Sequence, residues 1–154
     1  AAAGAGRTAG DRKRTGRIRL ADADDADAVC AIDQRVRDIP GRRPFIKRAI
    51  AASECHVAVE DGAIAGYAVF DRALYEQFFI SLLVVDQSRR RRGIGGALMR
   101  HIESICPEEK LFTSTNESNT PMRRLCEKLG FVRSGHIENL DDGDPEIVYF
   151  KRLR

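Results

Sequence analysis

Four consecutive arginines, Arg89-Arg90-Arg91-Arg92, run straight into Gly93-Ile94-Gly95-Gly96. An apolar stretch, residues 78–85, precedes them, and an amphipathic stripe follows. A strand that breaks into a glycine-containing loop and then opens a helix leaves successive backbone N–H groups free and aimed at one spot. The helix dipole adds partial positive charge there. Glycine lets the chain approach a bulky anion, and arginine can hold its oxygens in forked pairs. The chemistry this suits is binding of a pyrophosphate. Two other phosphate loops fail on particular residues. A P-loop needs a Lys after its last glycine, and none follows Gly96. A dinucleotide loop needs a third glycine where Leu98 stands. The plainer reading is a solvated basic run; the strand before it and the helix after it weigh against that.

Other reactive side chains are sparse. Cys30, Cys55, Cys106 and Cys126 form no C-x-x-C pair, and none of the three histidines lies at ligand spacing from them, so no metal site is expected. His101 falls on an apolar helical stripe and reads as packing. Asp141, Asp142, Asp144 and Glu146 crowd one loop. They suit a cationic ligand, or simply a polar turn.

These residues need elements to hold them. Residues 17–20 read as a short strand. Asp22 is a plausible cap for a helix marked by Val29, Ile32, Val36 and Ile39, stopped at Pro40-Gly41. A second helix is expected over residues 44–52, with Pro44 in its first turn. The period then changes to strands at 56–60 and 64–70, joined by Asp61-Gly62, and a central strand at 78–85. Ile94, Ala97, Leu98, His101, Ile102 and Ile105 mark the clearest helix, ended by Pro107. A strand at 111–115 follows. Then comes a helix carrying Met122, Leu125, Cys126 and Leu129 and capped by Gly130, and two last strands at 131–137 and 146–151. The order β-α-α-β-β-β-α-β-α-β-β indicates an α/β chain of the α+β mixed-sheet kind, helices packed on the sheet.

A length of 154 residues is one ordinary domain, and 43% hydrophobic with 32% charged residues excludes a disordered chain. No apolar run of about 18 residues exists, so no membrane span is expected. Residues 1–16 lack the apolar centre of a secretory signal and read as a disordered tail preceding a domain over 17–154. That tail holds Arg7, Arg12, Lys13 and Arg14 against Asp11, which accounts for the whole net charge of +3. The neutral remainder argues against nucleic acid as a partner. With nothing suggesting export, reduced thiols and a cytoplasmic home are expected.

The chain resembles the GCN5-related N-acetyltransferase (GNAT) family over residues 17–153. The family signature R/Q-x-x-G-x-G/A, between the fourth strand and the next helix, is met by Arg90-Arg91-Arg92-Gly93-Ile94-Gly95. A second feature, an Asn some six residues before L-Y-E-K-L-G-F, is met by Asn119 and Leu125-Cys126-Glu127-Lys128-Leu129-Gly130-Phe131. The resemblance implies a mostly antiparallel sheet of about seven strands, parallel and splayed at the fourth and fifth, flanked by about four helices. It implies acetyl-CoA as cofactor and an N-acetyltransferase that moves the acetyl group directly to a primary amine of a small molecule or peptide N-terminus. It also implies backbone pairing of the pantetheine arm by Leu83, Val84 and Val85. The pyrophosphate would lie in a cradle of Arg90, Arg91, Arg92, Gly93, Ile94, Gly95, Gly96 and Ala97, with a contact from the Asn119 side chain. Relatives often dimerise, which makes a homodimer compatible with it.

Two departures bear on catalysis. Cys126 stands where many relatives have a proton-donating Tyr; it is either the acid or a core residue. Ser81 stands where many have a Glu in the fourth strand, and Glu76 is the nearest carboxylate in sequence, either a base acting through water or a solvated strand-end charge. The alternative to an enzyme is a catalytically weak acyl-CoA-binding sensor of the same fold.

Overall fold

A computed structural model of the chain describes residues 17–154; the expected tail, 1–16, lies outside the described residues. The strands are β1 (Arg17–Leu20), β2 (Cys55–Glu60), β3 (Ala63–Leu74), β4 (Gln77–Val85), β5 (Lys110–Asn116), β6 (Val132–Ile137) and β7 (Glu146–Arg152). The helices are α1 (Ala26–Val36), α2 (Arg42–Ala51), α3 (Ile94–Ile105) and α4 (Thr120–Lys128). The strands form one seven-stranded sheet in the order β1-β2-β3-β4-β5-β7-β6. β4 and β5 run parallel, while β1–β2, β5–β7 and β6–β7 are antiparallel. The expected element order holds throughout. The main difference is β3, which continues past Phe70 to Leu74.

The described residues divide into two compact units. The first takes in the chain up to Tyr67 together with Val84–Ile94. Its entry is fixed at Asp22, whose side chain accepts from Asp24 N while Asp25 answers Asp22 N, a reciprocal cap on a 3-10 turn, Ala23–Asp25. Arg19 forks onto both oxygens of Asp25 at 2.7 and 3.0 Å. α1 buries Val29, Ile32 and Asp33, and α2 buries Ile46, Ala49 and Ile50. The buried Asp33 is satisfied by Arg42 at 3.0 Å and by the Tyr67 hydroxyl at 2.5 Å.

The second unit comprises Ala68–Leu83 and Gly95–Arg154. Its core is the stripe Leu98, Met99 and Ile102 of α3 with Leu111, Ile147 and Tyr149 of the sheet, all at most 2% exposed. β5 and β7 pair along their whole lengths, from Lys110↔Arg152 to Asn116↔Glu146. β6 follows β7 with a bulge at Arg133/Gly135. α4 starts at a side-chain cap from Asn119 with a proline in its first turn.

Candidate active site

Parallel strands normally pair along their shared length. Among the described residues, pairing between β4 and β5 is limited to Phe79↔Phe112 and Ile80↔Thr113, secured by Thr113 Oγ1 donating to the Ile80 carbonyl at 3.0 Å. Beyond that point the strands part. Ser81 is the first β4 residue past the last paired one, and Ser81, Leu82 and Leu83 are left half-buried in the middle of the sheet. An apolar strand with unpaired backbone groups on one side is a place for an extended ligand to pair as a strand would.

At the far end of β4 the chain turns through residues 86–93. Asp86 N donates to the Ala65 carbonyl at 2.8 Å, and the Asp86 carboxylate accepts from Arg35 at 3.2 Å. Gly66 is required there. A Cβ on it would come within 2.9 Å of the Val84 carbonyl and 3.3 Å of Ile94 Cγ2. Within the loop, Arg91 (φ 66°) and Gly93 (φ 77°) are left-handed, and turns that include left-handed residues are the kind of backbone from which anion-binding concavities are built. The four arginines divide by role. Arg89 (3.1 Å) and Arg92 (2.5 Å) both bind Oε1 of Glu60, which is 5% exposed at the end of β2. Arg90 and Arg91 are exposed and have no ion-pair partner among the described residues. The loop therefore has a bracing pair and a free pair, a division the sequence does not reveal. Ile94 is buried and anchors the start of α3. Gly95 and Ala97 are half-buried and Gly96 is buried, where a Cβ would lie 3.4 Å from Arg100 Nη1.

The remaining expected residues are placed less uniformly. Asn119 is exposed; its Oδ1 accepts from Met122 N at 3.3 Å and its Nδ2 donates to Thr115 Oγ1 at 3.1 Å. Cys126 is fully buried on α4, and burial, with a smaller push from Glu127, raises its thiol to about 12. That is the setting of a packing cysteine. Glu76 is exposed in the β3–β4 turn, at φ 63°, with its carbonyl accepting from Arg72 Nε at 2.8 Å. Four strand residues separate it from Ser81, five steps or roughly 16 Å along the chain, which leaves it a turn residue remote from the start of the opening. In the acidic loop, Asp141 accepts from Asn116 Nδ2 at 2.8 Å and Asp144 accepts from Ser118 N at 3.0 Å. Half of that cluster thus pins the loop to the β5–α4 turn. Sequence reasoning missed Asp71. Its Oδ2 accepts from Ser81 Oγ at 2.8 Å, and its Oδ1 from Ala73 N at 3.0 Å.

Comparison with known proteins agrees with this fold. The model of the Acetyltransferase (GNAT) family matches residues 24–131. The chain belongs to the GNAT acetyltransferase family. Among solved structures, this GNAT chain is 39% identical to a GNAT family acetyltransferase of Bacillus cereus ATCC 10987, with a TM-score of 0.85 over 90% of this chain and 99% of that one. The fold is shared by yncA of Salmonella typhimurium, solved with its cofactor acetyl-CoA (17% identity, TM-score 0.72, 90% and 94% of the two chains). It is shared too by the ribosomal-protein-S18-alanine N-acetyltransferase of Escherichia coli (21%, TM-score 0.74, 90% and 94%). No curated protein matches the sequence. Among the described residues, no helix is long and apolar enough to cross a membrane.

Proposed function

We propose that the chain is an acetyl-CoA-dependent N-acetyltransferase that transfers the acetyl group directly to a primary amine of a small molecule or a peptide N-terminus. The observation that carries this is the loop at the end of β4: left-handed Arg91 and Gly93, two arginines with no ion-pair partner among the described residues, and the start of α3 directly behind them in the chain. These residues fit a pyrophosphate, and the half-buried strand before them fits an extended arm. Arg90, Arg91 and the backbone of residues 93–97 would hold the phosphates, Leu83, Val84 and Val85 the arm, and Asn119 Nδ2 remains near enough to the opening's far strand, through Thr115, to border it. Acetyl-CoA would supply an acetyl group already activated as a thioester. The protein would supply orientation, worth up to about 7–11 kcal/mol of a bimolecular barrier. Four cysteines free of disulfides suit a reducing, cytoplasmic setting.

Thermal unfolding with and without acetyl-CoA tests the reading. Cofactor at 100 times its Kd stabilises by about 2.7 kcal/mol, or roughly 5–10 °C here. The shift is expected in the wild type and should largely vanish in Arg91→Ala with Gly95→Asp. No shift at millimolar cofactor would overturn it.

A further inference from the structure

We infer that Asp71, acting through the Ser81 hydroxyl, accepts the proton that the acceptor's ammonium must lose, so that β3 supplies the carboxylate that position 81 of β4 lacks. The inference rests on the acetyltransferase reading above and adds a proton path to it.

Position comes first. Ser81 is the first β4 residue beyond the paired segment, where the opening begins. Leu83, two residues on, shares its face roughly 7 Å away. An arm lying along β4 with its phosphates at the strand's far end brings its reactive end back toward Ser81. Partners come second. Ser81 Oγ donates to Asp71 Oδ2 at 2.8 Å, its other contact being the Val69 carbonyl at 3.4 Å. Charge comes third. Asp71 is half-buried, and it has no cationic partner among the described residues. The adjacent Arg72 turns elsewhere: its guanidinium sits 4.7 Å over the Phe78 ring and 3.8 Å from Glu108. A half-buried carboxylate with a hydroxyl and an amide but no cation beside it leaves a negative charge for an incoming ammonium to meet.

The step balances. The ammonium gives one proton to Ser81 Oγ as the Ser81 proton passes to Asp71 Oδ2, leaving a neutral amine. As the N–C bond forms and the C–S bond breaks, the nitrogen's second proton goes to the departing sulfur; Asp71 later returns its proton to water. Positioned proton transfer of this kind contributes about 10²–10⁴-fold.

The decisive variant is Asp71→Asn, which keeps an oxygen to accept from Ser81 and removes the basicity. Turnover is read as thiol release from acetyl-CoA with spermidine and with an alanine-initiated peptide, beside the thermal shift given by acetyl-CoA. The expectation is an unchanged thermal shift with kcat down about 100-fold and amine KM changed far less. Adding Ser81→Glu to Asp71→Asn should restore at least about tenfold by returning a carboxylate to β4, a rescue that a purely structural pair would not give. Ser81→Ala, with the carboxylate intact, should lose activity in the same direction and covers the case of an Asn variant that fails to fold. Turnover by Asp71→Asn within about threefold of wild type would sink the inference. So would a wild type that is stabilised by acetyl-CoA yet turns over neither amine. Absence of any acetyl-CoA shift defeats the wider reading first, and is told apart by that measurement alone.

Discussion

Cys126 shows how environment decides a residue's role. A thiol raised to about 12 by burial would have to give its proton to a departing thiol of ordinary pKa, about 8.5, a step uphill by about 5 kcal/mol. Cys126→Ala should therefore keep kcat within about threefold and lower stability by about 1 kcal/mol through lost packing. The same variant should change the response to alkali. A folded-state pKa above the unfolded value of about 9 means that stability is whole below pH 9 and falls as pH rises toward 12, because only unfolded thiols ionise there. Denaturant unfolding from pH 8 to 11 should show a shallower fall in the variant than in wild type. A 100-fold loss of kcat in a folded variant would instead make the thiol the acid. The burial of Cys126 was half legible, since it lies on the stripe with Met122, Leu125 and Leu129; the sequence alone could not choose between packing and acid. Asp71 was illegible for a different reason. Its meaning depends on which β4 residue it faces, and β3 and β4 meet through Tyr75 and Glu76, both left-handed. Such hairpins are usually announced by Asn-Gly. Without that signal the sequence predicts a strand only over 64–70, which leaves Asp71 outside any expected element.

Elements were read well because period and punctuation agreed. α3 carries its apolar stripe from Ile94 to Ile102, and Gly93 just before it takes the left-handed conformation of the turn. What the periodicity of α3 could not disclose is the tie that shapes the loop feeding it, because Glu60 lies some thirty residues earlier at the end of another strand. Glu60 is nearly buried, while its partners are not: the Arg89 and Arg92 side chains are 22% and 52% exposed. Removing one member of a buried pair costs about 3–5 kcal/mol when the other charge is stranded. Here the released arginines can reach water, so Glu60→Gln should cost less, about 1–2 kcal/mol. Its larger effect should be on the loop. With the brace gone, the left-handed turn at Arg91 and Gly93 is less fixed, and acetyl-CoA affinity by calorimetry should fall about tenfold. Tighter binding would mean that the freed arginines serve the phosphates better than the brace does, and would remove the bracing role.

At the scale of the whole chain the question is whether cofactor binding draws on net charge or on local geometry. The sequence carries +3, all of it assignable to residues 1–16; the remaining residues are balanced. A balanced body has little long-range field with which to gather an anion. On the proposed site, attraction would come from the N–H groups of one loop and from Arg90 and Arg91, acting at contact distance. The screening length falls from about 10 Å at 0.1 M salt to about 3 Å at 1 M, which removes steering but leaves contacts largely intact. Exposed ion pairs contribute about 0.2–1 kcal/mol each, so two arginines can lose at most about 2 kcal/mol over that range. The Kd for acetyl-CoA should weaken by about tenfold between the two salts, and should do so equally in the full chain and in a chain of residues 17–154. A loss of affinity on removing residues 1–16, or a fall of about a thousandfold with salt, would show that the charge of the tail, and not the shape of the loop, recruits the cofactor. Equal and shallow salt dependence would leave recognition with the turn at Arg91 and Gly93, both left-handed, as the proposed pyrophosphate site requires.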